Sequence, residues 1–361
     1  MNLTSRTLLV SAVLFLPAQA LAYGVTECSL TGATLTWDTN TVNMSASAIG
    51  FPVGAWRDEL VTAIGRFNEN PSRFNFTLTT GDMSVGLNNN QNEIWWTADA
   101  AYDPAVAITS YGGMLFCSNP HIEETDILFF NGESYMAGMT KSSHWSYGGS
   151  FRPFQTTALH ELGHAMGLGH ENGEYNIMGE DWNVVNANGV TLRSYLGEDA
   201  SDGAVDLYGL PASPIEDVSV AHWKYDGVDG EYSEHTYTAM TTSAGAALAS
   251  FVVDGERVYY VTPGQQVQVE FVYENNGAST VSPKVGFFYS TNSTITTGDT
   301  RLGGHTPTIG RADPYKAKRT VTIPVTATLG HGYVGAYIDE DNTLSEVTSA
   351  NNATYLRIYV Q

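Results

Sequence analysis

Residues 160–170 read HELGHAMGLGH, which gathers three of the chain's nine histidines around one glutamate and three glycines. His160 and His164, four apart on a helix, share one face a turn from each other, so two imidazoles can grip one ion. Glu161 lies beside the first of them, where its carboxylate can reach a water held on that ion. Gly167 can take a positive φ at the helix end and turn the chain back, which lets His170 approach from outside as a third ligand. Three nitrogen ligands leave one position of a tetrahedral zinc open to water, the arrangement of a catalytic site. A closed structural site would take a fourth protein ligand, usually cysteine, and none is near. At this chain's residue frequencies the full HExxHxxGxxH pattern would arise by chance in about one chain per hundred thousand.

Several elements must position these groups. Between Phe154 and Gly167, Leu159, Leu162 and Met166 recur at helical spacing on one face, which predicts the helix that carries the histidines. Upstream, a strand is expected from Ala33 (ATLTWDT), followed by an amphipathic helix with Trp56, Leu60, Ile64 and Phe67 on its core face. Strand-like runs follow at 74–80, 92–100, 105–113 and 124–132, separated by Asn-, Gly- and Pro-rich turns. A last helical pattern (197–209) ends before Pro211 and Pro214. Beyond it the texture changes to alternating β-branched and polar runs, as in QVQVEFVYE (266–274) and TYLRIYV (354–360), which read as an antiparallel sandwich. The boundary falls near 211–215.

HELGHAMGLGH, followed by Asn176-Ile-Met178-Gly179, closely resembles the metzincin metallopeptidases, in which a methionine turn lies beneath the zinc. The eight residues from His170 to Met178 resemble the matrixin branch. In the astacin and serralysin branches a tyrosine typically stands two residues after the methionine; Glu180 stands there here. The resemblance covers most of 33–210 in pattern, with ATLTWDT similar to the first strand, AVAITSYGG to the antiparallel edge strand and GEDASDGAVDLYG to the closing helix, Glu198 and Asp199 lying at its acidic start. It implies an α+β metzincin-like domain, a mixed twisted sheet with a zinc-binding active-site helix. It also implies one Zn²⁺ on His160, His164 and His170, Glu161 as general base, Met178 as the structural methionine and a polypeptide substrate aligned along the strand near 105–110. About ten residues separate Ala22 from the expected first strand, which leaves no room for the usual matrixin propeptide, and TECSLTG around Cys28 does not resemble its zinc-blocking motif.

Residues 250–361, from PGQQVQVEFVYENNGAST to AYIDEDNTLSEVTSANNATYLRIYV, resemble the bacterial adhesion-related (CARDB-like) sandwich module. That implies an all-β Ig-like domain which binds an extracellular surface or matrix ligand, or serves as a stabilising spacer. The expected organisation is a signal peptide (1–22), a matrixin-like zinc metallopeptidase domain (23–211), a linker with lead-in strands (212–249) and the sandwich (250–361). Asp126, Glu133, Asp181 and the run Asp339-Glu340-Asp341 offer carboxylates to Ca²⁺, although solvated carboxylates account better for each, since no EF-hand loop is present. His121 and His144 lack metal spacing and read as surface or hydrogen-bonded histidines.

Within 361 residues, 42% hydrophobic content and 36 glycines describe a globular chain rich in turns, long enough for two domains. Met1 to Ala22 reads as a secretory signal: Arg6, an apolar run, Pro17 and the small-residue site Ala20-Leu21-Ala22, with the mature chain starting at Tyr23. The apolar run is too short to span a membrane comfortably, so a secreted or extracellular location is expected, with the periplasm as the other exported compartment. A formal charge of −22 argues against nucleic acid or an anionic membrane as partner. In an oxidising compartment the only two cysteines, Cys28 and Cys117, can bridge or stay as two buried thiols. Two functions fit: a secreted zinc endopeptidase, or an extracellular adhesin whose first domain is a zinc-stabilised scaffold.

Overall fold

Runs of alternating β-branched residues separate the helical stretches, and each run pairs with a neighbour in a computed structural model that describes residues 23–28, 30–112, 118–144, 147–172, 175–179, 185–222, 235 and 238–361. Strand β1 (Thr41–Ala46) leads into helix α1 (Ala55–Phe67), which buries Leu60, Ala63, Ile64 and Phe67 on its inner face. Strands β2 (Asn75–Thr80), β3 (Glu93–Thr97), β4 (Ala105–Gly112) and β5 (His121–Phe130) complete a sheet of order β2-β1-β3-β5-β4. Its first four members run parallel and β4 lies antiparallel on the edge beside β5. Parallel strands must be covered. The short parallel pair β6 (Tyr135–Met136) and β7 (Arg152–Pro153) delivers the chain into helix α2 (Phe154–Met166), which packs on α1 and on the sheet.

The strand expected from Ala33 is not one. Residues 33–39 hold only isolated bridges, Thr34 to Glu27 and Thr36 to His121, and the first sheet strand starts later, at Thr41. Trp37 explains the difference. Its indole donates to the Ala165 carbonyl (2.8 Å) and its amide to the Tyr208 hydroxyl (3.2 Å), so the segment is tied to the helices instead of entering the sheet.

A hairpin of β8 (Val185–Ala187) and β9 (Leu192–Ser194) precedes helix α3 (Glu198–Tyr208). Ten further strands follow: β10 (Val218–Ala221), β11 (Ala239–Thr242), β12 (Ser250–Val253), β13 (Glu256–Val261), β14 (Gln266–Asn275), β15 (Val285–Ser290), β16 (Thr300–His305), β17 (Pro314–Thr322), β18 (Gly330–Ile338) and β19 (Ala353–Val360). They form a β-sandwich. One sheet centres on β14, which pairs with β17 on one side and with β10 and β11 along the other; the second has the order β12-β13-β19-β18-β15-β16. Val269, Phe271, Phe287, Val334 and Ile358 from the two sheets meet in one core. The segment 212–249 therefore supplies two strands of the sandwich as well as the connection to it.

The signal expected at 1–22 and Cys117 lie outside the described residues. Cys28 is buried and no described cysteine is free.

Phe154 starts α2 at the centre of an aromatic cluster, with ring centroids 4.7 Å from Phe129, 5.7 Å from Trp56 and 5.9 Å from Trp96. It is fully buried. Truncating such a ring leaves a cavity that rigid neighbours cannot fill. Phe154→Ala should therefore lower stability by about 3–5 kcal/mol in urea unfolding, with the urea dependence of the free energy unchanged.

Candidate metal centre

Helix α2 has to begin and end at fixed residues for its histidines to meet a third. At its start Pro153 occupies the cap position, and the hydroxyls of Thr156 and Thr157 both donate to the Pro153 carbonyl (3.2 and 3.1 Å). At its end Gly167 takes φ 119°, and its amide reaches the carbonyls of Gly163 and His164. A Cβ on Gly167 would stand 2.8 Å from the Leu35 carbonyl oxygen, so both the backbone angle and the space require glycine. The chain then reverses, with Leu168 bridging to Val25, and His170 returns toward the helix.

His160, His164 and His170 come together. The Nε2 atoms of His160 and His164 are 3.0 Å apart, and those of His160 and His170 3.2 Å. Tetrahedral zinc with bonds of about 2.0–2.1 Å would set its nitrogens about 3.3 Å apart, so the spacing fits. Backbone carbonyls fix two of the tautomers. His160 Nδ1 is 2.7 Å from Ile177 O and His164 Nδ1 is 2.9 Å from Leu168 O. A carbonyl only accepts, so each Nδ1 must carry the proton, which leaves bare Nε2 lone pairs facing one another. Burial, with the neighbouring imidazoles adding to it, lowers His160 to about 3 and holds His164 below its ordinary value, so both stay neutral. Facing lone pairs repel; a cation between them turns this arrangement into coordination. The three form a group able to hold a metal ion.

Glu161 does not join them as a ligand. It lies 3% exposed on the wall of the same cleft, and burial pushes its carboxyl up to about 8 against a hydrogen bond from the Ala107 amide that favours the ionised form. That cleft, ≈ 350 Å³, is walled by Ala105 to Ala107, Thr109 and Tyr111 of β4, by Thr26 and by the three histidines. His170 is on its exposed side. The unpaired edge of β4 thus runs past Glu161 and the imidazoles.

Met178 lies beneath α2. It is 1% exposed in a turn whose Asn176 side chain accepts from the Met178 amide (2.6 Å) and donates to Asp199 of α3 (3.0 Å). Gly163, inside the motif, is what lets it come so close: a Cβ there would stand 2.2 Å from the Met178 sulfur. Sequence reasoning assigned Gly167 and passed over Gly163, whose only signal was its position one residue before His164. Thr26 was missed as well, because nothing in its neighbours marks it.

The other candidate residues are employed elsewhere. Asp126 is buried in β5 and accepts from the Glu93 amide (3.1 Å); burial pushes its carboxyl up to about 8, so it is not a solvated carboxylate. Glu133 is 3.7 Å from Arg152, and Asp181 lies outside the described residues. Asp339 is buried and accepts from the amides of Thr343 and Leu344, Glu340 holds Arg301 and Asp341 holds Lys284. His121 opens β5 and lies 3.6 Å from Glu123, whereas His144 is fully buried and is no surface histidine.

No family profile matches the sequence, and no curated protein matches it. Among solved structures, the CARDB domain of the PF1109 protein from Pyrococcus furiosus, in complex with di-metal ions, is 21% identical over 28% of this chain and 79% of its own, at a TM-score of 0.23. The solution structure of the same domain gives 22%, 28% and 84%, at a TM-score of 0.23. A Niemann-Pick type C2 protein from the Japanese carpenter ant is 5% identical over 30% of this chain and 85% of its own, at a TM-score of 0.23. None of these three is described as a peptidase, and the overlaps are too slight to assign a function. The chemistry of the site rests on its own geometry.

Gly163→Ala should push Met178 out of its place. The expected cost is about 1–3 kcal/mol of stability, read by thermal unfolding, with weaker zinc retention against a competing chelator. Unchanged zinc retention would dissociate the methionine turn from the histidine site.

Proposed function

We propose that the chain is an exported, zinc-dependent endopeptidase of matrixin-like type. One observation carries this reading: two imidazoles, each locked into the Nδ1–H tautomer by a carbonyl, turn their bare nitrogens toward each other and toward a third in an open cleft. Zinc bound there would lower the pKa of a water and polarise a peptide carbonyl.

The chain's own residues supply the rest. Glu161, buried and oriented by the Ala107 amide, takes the proton of the attacking water and returns it to the leaving amine. Along β4, free main-chain groups pair with an extended polypeptide and draw it past Glu161, as an added strand on a sheet edge. Met178 and the turn from Asn176 to Gly179 hold the floor under the histidines. The sandwich binds an extracellular ligand or spaces the cleft from a surface, and the sequence at 1–22 directs export.

The competing reading, an adhesin with a metal-stabilised scaffold, has no use for Glu161. A carboxyl kept out of water at a cost in ionisation, beside three ligands yet not among them, is placed for proton transfer and adds nothing to folding.

Purified protein should contain zinc and cleave an unstructured polypeptide, and a chelator should abolish cleavage. Glu161→Gln should keep the zinc and lose about 10²–10⁴-fold in kcat. Wild-type protein that holds zinc but cleaves nothing across a broad peptide library would refute the enzyme.

A further inference from the structure

A second group of metal-ligating side chains lies outside the cleft, where α3 meets the sandwich. Glu198 opens α3, Glu274 sits near the end of β14 and His235 comes from the stretch between β10 and β11. All three are buried, at 1%, 0% and 3% exposure. His235 Nε2 is 2.9 Å from Glu274 Oε1 and 3.7 Å from Glu198 Oε1, a pair of spacings that brackets the edge of about 3.3 Å expected between ligands on a tetrahedral first-row cation.

Charge makes the group costly without a counter-ion. Among the described residues no lysine or arginine pairs with either carboxylate. Burial penalises the ionised Glu198 carboxyl, and the Glu274 carboxylate close by adds to that penalty. On Glu274 the Ser219 hydroxyl donates to Oε2 at 2.6 Å, and Oε1 faces His235 Nε2 at 2.9 Å. Glu198 Oε2 is buried with no hydrogen-bond partner. An orphaned carboxylate oxygen beside converging ligands has the character of a coordination shell. The Tyr175 ring, 5.3 Å from the His235 ring, holds the imidazole in place.

We propose that Glu198, His235 and Glu274 bind a divalent first-row transition cation that clamps α3 to the sandwich. Two carboxylates and one imidazole suit zinc or manganese over calcium, which takes six to eight oxygens. With every ligand buried, the site is structural. It is independent of the histidine cleft and stands or falls without it.

The test uses the full mature chain with the cleft disabled by His160→Asn and His164→Asn, titrated with Zn²⁺ alone after chelator treatment. One equivalent should bind, and the melting temperature should rise. Adding His235→Asn, or separately Glu274→Gln, should remove both effects, while the chelator-treated variants melt as cooperatively as their parent and so report on folded protein. No zinc-dependent rise in the cleft-disabled chain would overturn the proposal. A rise that survives both further substitutions would assign the zinc to another place and overturn it equally.

Discussion

Two backbone carbonyls govern the histidine cleft. Ile177 O and Leu168 O each accept from an Nδ1–H, and in doing so decide which nitrogen of His160 and of His164 is free to bind. Neither carbonyl is in place by accident. Leu168 follows the left-handed turn at Gly167, and Ile177 lies in the turn that Asn176 ties to Asp199 of α3. Much of the first unit's architecture serves these two positions: α2 must stop at one residue, α3 must present an acid at its start, and the chain between must cross under the helix. The aromatic cluster around Phe154 sets where α2 begins and hence the depth at which its histidines sit.

Electrostatically the cleft separates two kinds of group that burial affects in opposite senses. Desolvation keeps the imidazoles neutral, as ligands must be, and raises the Glu161 carboxyl, as a proton acceptor working near neutrality requires. A single property of the site, its removal from water on the helix side, thus prepares both partners. The open side is left to His170 and the edge of β4.

Much of this could be read from residues alone. Local signals were strong wherever one element had one periodicity: α1 with its buried stripe, α2 with its motif, α3 and the strands β2 to β5 all fall where their patterns put them. Where tertiary contacts overrode propensity, the reading failed. The run from Ala33 has strand-like alternation, but Trp37 anchors it to α2 and α3. Asp126 read as a solvated carboxylate and is buried in its strand. Gly163 and Thr26 act through close approach in space, which spacing along the chain does not encode. Glu198, His235 and Glu274 come from three separate segments, so no motif could have united them.

The seam between the two units is more than a linker. Asn186 of β8 donates through one amide to the carbonyls of Val220, Asn351 and Ala353 at 3.0–3.1 Å, Arg311 reaches Asp202 at 2.7 Å, and Ala221 and Val272 of the sandwich belong to the core that also contains α2. Residues 211–215, where the texture of the sequence changes, therefore mark a change of architecture but not a line of cleavage. Severing the chain there would strip apolar cover from the very core on which α2 rests. Grafting the sandwich onto another partner, or the first unit onto another tail, would have to carry this seam along to keep both cores covered.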